Sequence, residues 1–184
     1  MAKRLLLTFC LLCCSSTLLQ AQAGTTASRR FDLQAGAGLA FGSSDYEPHP
    51  PRGYGAYVTL DFTSHFGAEV NIRQLNSTTG DSLYERTYEV GGRYHRTYKI
   101  FEPYIRLSVG RGVFNFPHNT ANIAYNMYSG GAGTDFHIYK NVSGRADYEY
   151  QNWRGFPPDN LTPQVLFFGV GYHFPGNMKR GRHY

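Results

Sequence analysis

Cysteine is missing from all but the first fourteen residues: Cys10, Cys13 and Cys14 are the only three. The rest of the chain can therefore hold no disulfide framework, CxxC redox pair or thiolate zinc cage. Charge is also scarce, at 17% of the 184 residues against the roughly 25% of an ordinary globular domain. The net charge of +5 is too mild and too scattered for a nucleic-acid partner. Long hydrophobic runs are lacking as well. Beyond the N-terminal segment no stretch nears the ~18 apolar residues of a helical membrane span. Sheet-forming residues are abundant, with 15 Tyr and 13 Phe but a single Trp, and 21 Gly. That composition argues against a disordered chain or a coiled coil and for β-structure.

The N-terminus has the layout of an export signal. Lys3-Arg4 precedes an apolar run from Leu5 to Leu19, and Ala21-Gln22-Ala23 supplies small residues at a cleavage site before Gly24. Residues 1–23 are thus read as a signal peptide. Cys14 follows Cys13 and Cys13 follows Leu12, so the small residue that precedes a lipidated cysteine is missing. The mature chain is read as a barrel domain over 24–174 and a short polar tail over 175–184.

After the leader one pattern repeats. Apolar and polar residues alternate over 30–41, 54–62, 66–75, 84–95, 103–114, 126–137, 142–152 and 164–174. Period 2 sustained for about 9–12 residues is a strand signal. An even number of such strands fits a closed barrel. Short links (63–65, 96–102, 138–141) alternate with long polar ones (42–53, 76–83, 115–125, 153–163), the arrangement of an outer-membrane barrel. The expected fold is all-β: an eight-stranded antiparallel up-and-down transmembrane barrel with a charged interior filled by side chains.

The charges set which face points inward. Asp32, Asp61, Glu69, Glu85, Glu89, Asp135, Asp147 and Glu149 share one parity with Arg73, Arg93, Arg106 and Arg145. In lipid each would be costly, but inside a narrow barrel they can pair. The apolar face carries only Arg86 and Arg111, near the long loops. An arginine costs about 2–4 kcal/mol at the bilayer midplane and little near the interface, where both can snorkel. Two aromatic girdles support this orientation. Phe31, Phe62, Phe66, Tyr94, Phe136, Tyr172 and Phe174 sit toward the short turns, and Phe41, Tyr54, Tyr84, Tyr128 and Tyr150 toward the long loops. A soluble barrel with an aromatic core would leave the carboxylates and both girdles unexplained.

The segments YEVGGRY (88–94), PYIRLSVGRG (103–112), GAGTDF (131–136), DYEYQNWRGF (147–156) and VLFFGVGYHF (165–174) resemble the small outer-membrane β-barrel superfamily, the OmpA/OmpX-like group. The resemblance covers about 31–174. It implies outer-membrane residence and a C-terminal strand read by the barrel-assembly machinery, with Tyr172 and Phe174 as the assembly signal. The chain departs from the pattern by adding the tail PGNMKRGRHY. No peptidoglycan-binding domain follows the barrel in this sequence, so an anchoring role is not implied.

An eight-stranded barrel is just wide enough for its own side chains. Twelve inward charges with Tyr57 and Tyr104 favour a plugged barrel over a wide porin. Some barrels of this fold are lipid-modifying enzymes, but no motif couples the inward His173 to Ser108 or Ser129. His95, His137 and His173 are inward near the short-turn ends of strands 4, 6 and 8. Together they could hold a metal, but their non-adjacent strands favour separate, hydrogen-bonded histidines, and no metal or cofactor is assigned. Binding is expected at the long loops, through Asp45, Tyr46, His49 and Arg52 in the first and Trp153, Arg154, Phe156 and Asp159 in the last. Trp153 and Phe156 are expected to anchor the outer interface or to touch a partner. Arg52, Arg86, Arg111 and Arg154 are candidates for lipopolysaccharide phosphates. The expected function is that of a monomeric, non-enzymatic envelope protein surrounded by outer-membrane lipids. A narrow solute channel is the alternative and a lipid-modifying enzyme a third.

Overall fold

The computed structural model describes residues 31–174 except 44–48, 78–82, 117, 119–120 and 158. The proposed leader, the tail and the loop residues Asp45 and Tyr46 lie outside the described residues. The chain forms β1 (Asp32–Ser43), β2 (Arg52–Asp61), β3 (Phe66–Asn76), β4 (Tyr84–His95), β5 (Phe101–Asn115), β6 (Asn122–Tyr139), β7 (Val142–Arg154) and β8 (Gln164–Phe174). Each strand pairs antiparallel with its neighbours in sequence, and β1 pairs with β8 to close the barrel. Closure gives every strand a partner on both sides, a condition for crossing lipid with strands.

The sheet is inside-out. Leu60, Val70, Leu107 and Val170 are 39%, 49%, 77% and 56% exposed, while Glu69, Glu89 and Asp147 are 1%, 3% and 4% exposed. The outward aliphatic and aromatic side chains therefore meet the acyl chains of a bilayer, and the ionisable ones line the axis.

The short connections are tight for local reasons. In the β2–β3 turn the Thr63 hydroxyl accepts the Phe66 and His65 N–H groups at 2.8 and 3.2 Å, a side-chain substitute for a backbone turn. Between β4 and β5, Tyr98 and Phe101 exchange backbone hydrogen bonds of 2.7 and 2.8 Å around Lys99, whose φ is 52°. β6 and β7 are joined by Lys140 and Asn141, just after an irregularity between His137 and Tyr139.

β5, β6 and β7 are longer than the alternation suggests, at 15, 18 and 13 residues. A tilted strand crosses a bilayer in about 9–11 residues, so this part of the wall overruns the membrane. The long-loop end of that wall changes character. Inward positions that carry charge lower down become Phe114, Tyr125, Met127 and Trp153. These pack with Leu83, Phe156 and Leu161 into an apolar cluster.

Candidate functional site

Four arginines organise the lumen, each reaching across it. Arg73 of β3 lies 3.4 Å from Glu89 on β4 and 3.2 and 2.8 Å from Asp147 and Glu149 on β7. Arg106 of β5 donates to Glu69 and Glu149 and lies 3.1 Å from Asp147. Arg145 of β7 holds Glu69 at 2.8 Å and Asp135 at 2.7 Å, with its guanidinium 3.6 Å from the centre of the Tyr57 ring. Arg93 of β4 meets Glu102 at 2.9 Å and Asp135 at 3.0 Å and lies over Tyr104. All four are almost completely buried. Buried charges persist only when paired and hydrogen-bonded, and this network satisfies most of that demand. Ser129 donates to Glu89 at 2.7 Å and Thr59 to Glu69 at 2.8 Å.

The network is joined to the apolar cluster above it. The Trp153 indole N–H donates to Gln151 at 2.9 Å, and Gln151 donates to Glu149 at 2.7 Å. The indole lies flat on Gly112, where an added Cβ would come within 2.5 Å of three ring atoms. Only glycine leaves room for the ring there. A second cluster of Ala40, Tyr57, Leu75, Val165 and Phe167 fills the lumen beside β1, β2 and β8.

Most of the expected interior network is brought together, with three differences. Asp32 lies at the short-turn mouth against His173, 3.0 Å away, apart from the arginine cluster. Glu85 is buried higher up, opposite Phe114 in the β4–β5 register. Glu102, placed by sequence in a turn, is a member. It shares the parity of Tyr104 and Arg106, and extending the β5 alternation by one pair would have found it. Among the described residues the lumen thus holds nine carboxylates (the eight expected and Glu102) against four guanidiniums.

The expected loop contacts need correction. Trp153 and Phe156 are not at the outer interface: they are 0% and 4% exposed, inside the apolar cluster. The β7 alternation continues to Arg154, so Trp153 keeps the inward parity of Glu149 and Gln151. Arg52 and Arg154 are strand residues, not loop residues. Both point outward, as do Arg86 and Arg111. Arg86 donates to Gln74 from Nε at 2.9 Å and lies over the Tyr84 ring, and Arg154 lies over Tyr128. Tyr172 and Phe174 are outward on β8 with their rings edge to face.

The three lumenal histidines also divide differently from expectation. His137 and His173 do approach, with ring centroids 5.7 Å apart. Their strands are separated only by β7, and the two rings meet over that one strand. His95 stands apart, with Asp61 and Glu102. The hydrogen bond expected of interior histidines is present for His173 and missing for His95. Two of the groups weighed as an enzyme site are engaged elsewhere. The Ser129 hydroxyl is engaged by Glu89 and the His173 ring by Asp32.

No curated protein matches the sequence. Among solved structures, Ail of Yersinia pestis, crystallised with the heparin analogue sucrose octasulfate, superposes with a TM-score of 0.58 at 19% identity, covering 79% of this chain and 99% of Ail. Neisserial surface protein A gives 0.55 at 19% identity over 78% of this chain and 97% of that one. The N-terminal barrel of OprF from Pseudomonas aeruginosa gives 0.59 at 13% identity over 80% and 100%. At these identities the likeness establishes the fold alone. The sequence itself matches a family pattern, that of the outer membrane protein β-barrel domain, over residues 8–174. With its closed eight-stranded wall, apolar exterior and ion-paired lumen, the chain belongs to that family of outer-membrane barrels.

Proposed function

We propose that this protein is exported to the bacterial outer membrane and works there as a sealed, non-enzymatic monomer. In this reading it contributes to envelope integrity and surface contact through its long-loop end. The observation that carries the reading is the placement of outward charge. Among the described strand residues, the outward charged side chains are Arg52, Arg86, Arg111 and Arg154, all at the long-loop end. Arg111 and Arg154 are both register partners of Asn126, which puts their strands about 10 Å apart. Arg86 is the diagonal neighbour of Arg111 across β4 and β5, within about 7–8 Å. Guanidiniums gathered on a face without carboxylates call for an anion, and a bidentate phosphate is the natural match. At this height the available phosphates are those of lipopolysaccharide in the outer leaflet.

The filled lumen supports the same reading. Side chains from β3, β4, β5 and β7 cross it, and the apolar cluster closes the long-loop end. That speaks against a solute path, and the engagement of Ser129 and His173 elsewhere speaks against a hydrolytic site.

The test is retention of lipopolysaccharide by the refolded, untagged barrel, compared with an Arg86→Gln/Arg111→Gln/Arg154→Gln variant. The expected result is loss of at least about tenfold in affinity with unchanged heat-modifiable gel migration. Equal retention by both proteins would overturn the lipid reading. A steady unitary current in planar bilayers, or release of acyl chains from lipid by the pure protein, would overturn the sealed, non-enzymatic one.

A further inference from the structure

The short-turn mouth holds a second arrangement of donors that is independent of the outer face. Asp61 ends β2, His95 ends β4 and Glu102 is the second residue of β5. One ligand atom from each lies within 4.8 Å of the others. We propose that these three side chains bind one divalent transition-metal ion of the zinc class. One imidazole with two carboxylates is a donor set that suits such ions.

A second observation points the same way. His95 is 3% exposed, yet neither of its ring nitrogens has a hydrogen-bond partner, and Asp61 Oδ1 has none either. His95 Nε2 lies 3.5 Å from Asp61 Oδ1 and Nδ1 lies 3.1 Å from Glu102 Oε1, both without hydrogen-bond alignment. Buried polar groups left in this way are costly. One ion would take one ring nitrogen of His95 and one oxygen from each carboxylate, leaving the other ring nitrogen as an N–H donor. The Asp61 carboxylate reaches this place because its register partner is Gly67, where a Cβ would overlap the carboxylate.

Arg93 is the competing cation, 2.9 Å from Glu102 and 3.4 Å from Asp61. It also meets Asp135 at 3.0 Å and lies 3.5 Å from Glu69, so it keeps two carboxylates when an ion takes the others. Among the described lumenal residues carboxylates outnumber guanidiniums, which favours an added cation. The Glu102 side chain, 15% exposed, gives the site an opening to water at the mouth. Since only β3 lies between β2 and β4, the bound ion would bridge strands that share no backbone hydrogen bonds. Binding only the folded state, it would stabilise the barrel.

The experiment uses the full, untagged chain refolded in detergent and stripped with a chelator. Zn2+ is titrated by calorimetry, and Co2+ is followed by its visible absorption. One saturable ion per barrel is expected. His95→Gln, Asp61→Asn and Glu102→Gln should each weaken binding at least about tenfold, while a His137→Gln/His173→Gln double variant should bind as before. Heat-modifiable migration checks folding. If His95→Gln fails to fold, the partly exposed Glu102→Gln and the Co2+ spectrum of the unmodified protein decide. Absence of saturable binding would overturn the proposal. Binding that survives all three ligand changes, or is lost in the double variant, would overturn it too.

Discussion

Replacing Arg106 with Met tests whether the lumen is a water-excluding ion network or a wet channel lined with charge. Arg106 contacts Glu69, Asp147 and Glu149 and is 2% exposed. Methionine keeps much of the side-chain volume and removes the charge. Each carboxylate retains another arginine: Glu69 keeps Arg145, and Asp147 and Glu149 keep Arg73. Breaking a buried ion pair by removing one partner costs about 3–5 kcal/mol, and the remaining partners place the expected loss near 3 kcal/mol. That is about a hundredfold in the folding equilibrium. A hydrated lumen would behave like a protein surface, where an ion pair contributes about 0–1 kcal/mol. The measurement is reversible urea unfolding in phospholipid vesicles, followed by gel mobility and by the emission of the single Trp. A companion Glu149→Gln change completes a double-mutant cycle that isolates the Arg106–Glu149 coupling. A loss below about 1 kcal/mol, with no coupling between the two positions, would refute the dry network.

Trp153 should be inaccessible to iodide in the folded barrel, and Gly112→Val should expose it by taking the space its ring occupies; strong quenching of the unmodified protein would contradict the apolar cap. On the lipid face, Leu107→Arg should cost about 2–4 kcal/mol and Val113→Arg, nearer the long loops, about 0–1 kcal/mol. Equal costs in the same urea assay would mean that the bilayer does not sit where the inverted pattern puts it.

Several structural features were legible in particular residues. The alternation around Glu69, Asn71 and Arg73 placed β3 and its inward face, and the same parity placed Tyr57, Tyr104 and Phe167 in the lumen. Misplacements arose where strands end. Trp153 reads as a loop residue when the alternation ends at Asn152, and Glu102 as a turn residue when it begins at Pro103, whereas the strands run through both. Strand ends are poorly marked because tertiary pairing, not local propensity, decides where the ladder stops.

Period-2 alternation and the distribution of charge are local properties of the chain, and by themselves they determined the number of strands, their order and the inversion of the barrel. Which charges meet is a matter of distance across a closed wall. Arg73 finds Glu149 and Arg145 finds Glu69 only after the stagger of the strands sets their heights. Strand stagger and closure bring together side chains that no spacing along the chain relates, and so the individual pairings of the lumenal network, the apolar cap and the Asp61–His95–Glu102 cluster were decided by the tertiary structure.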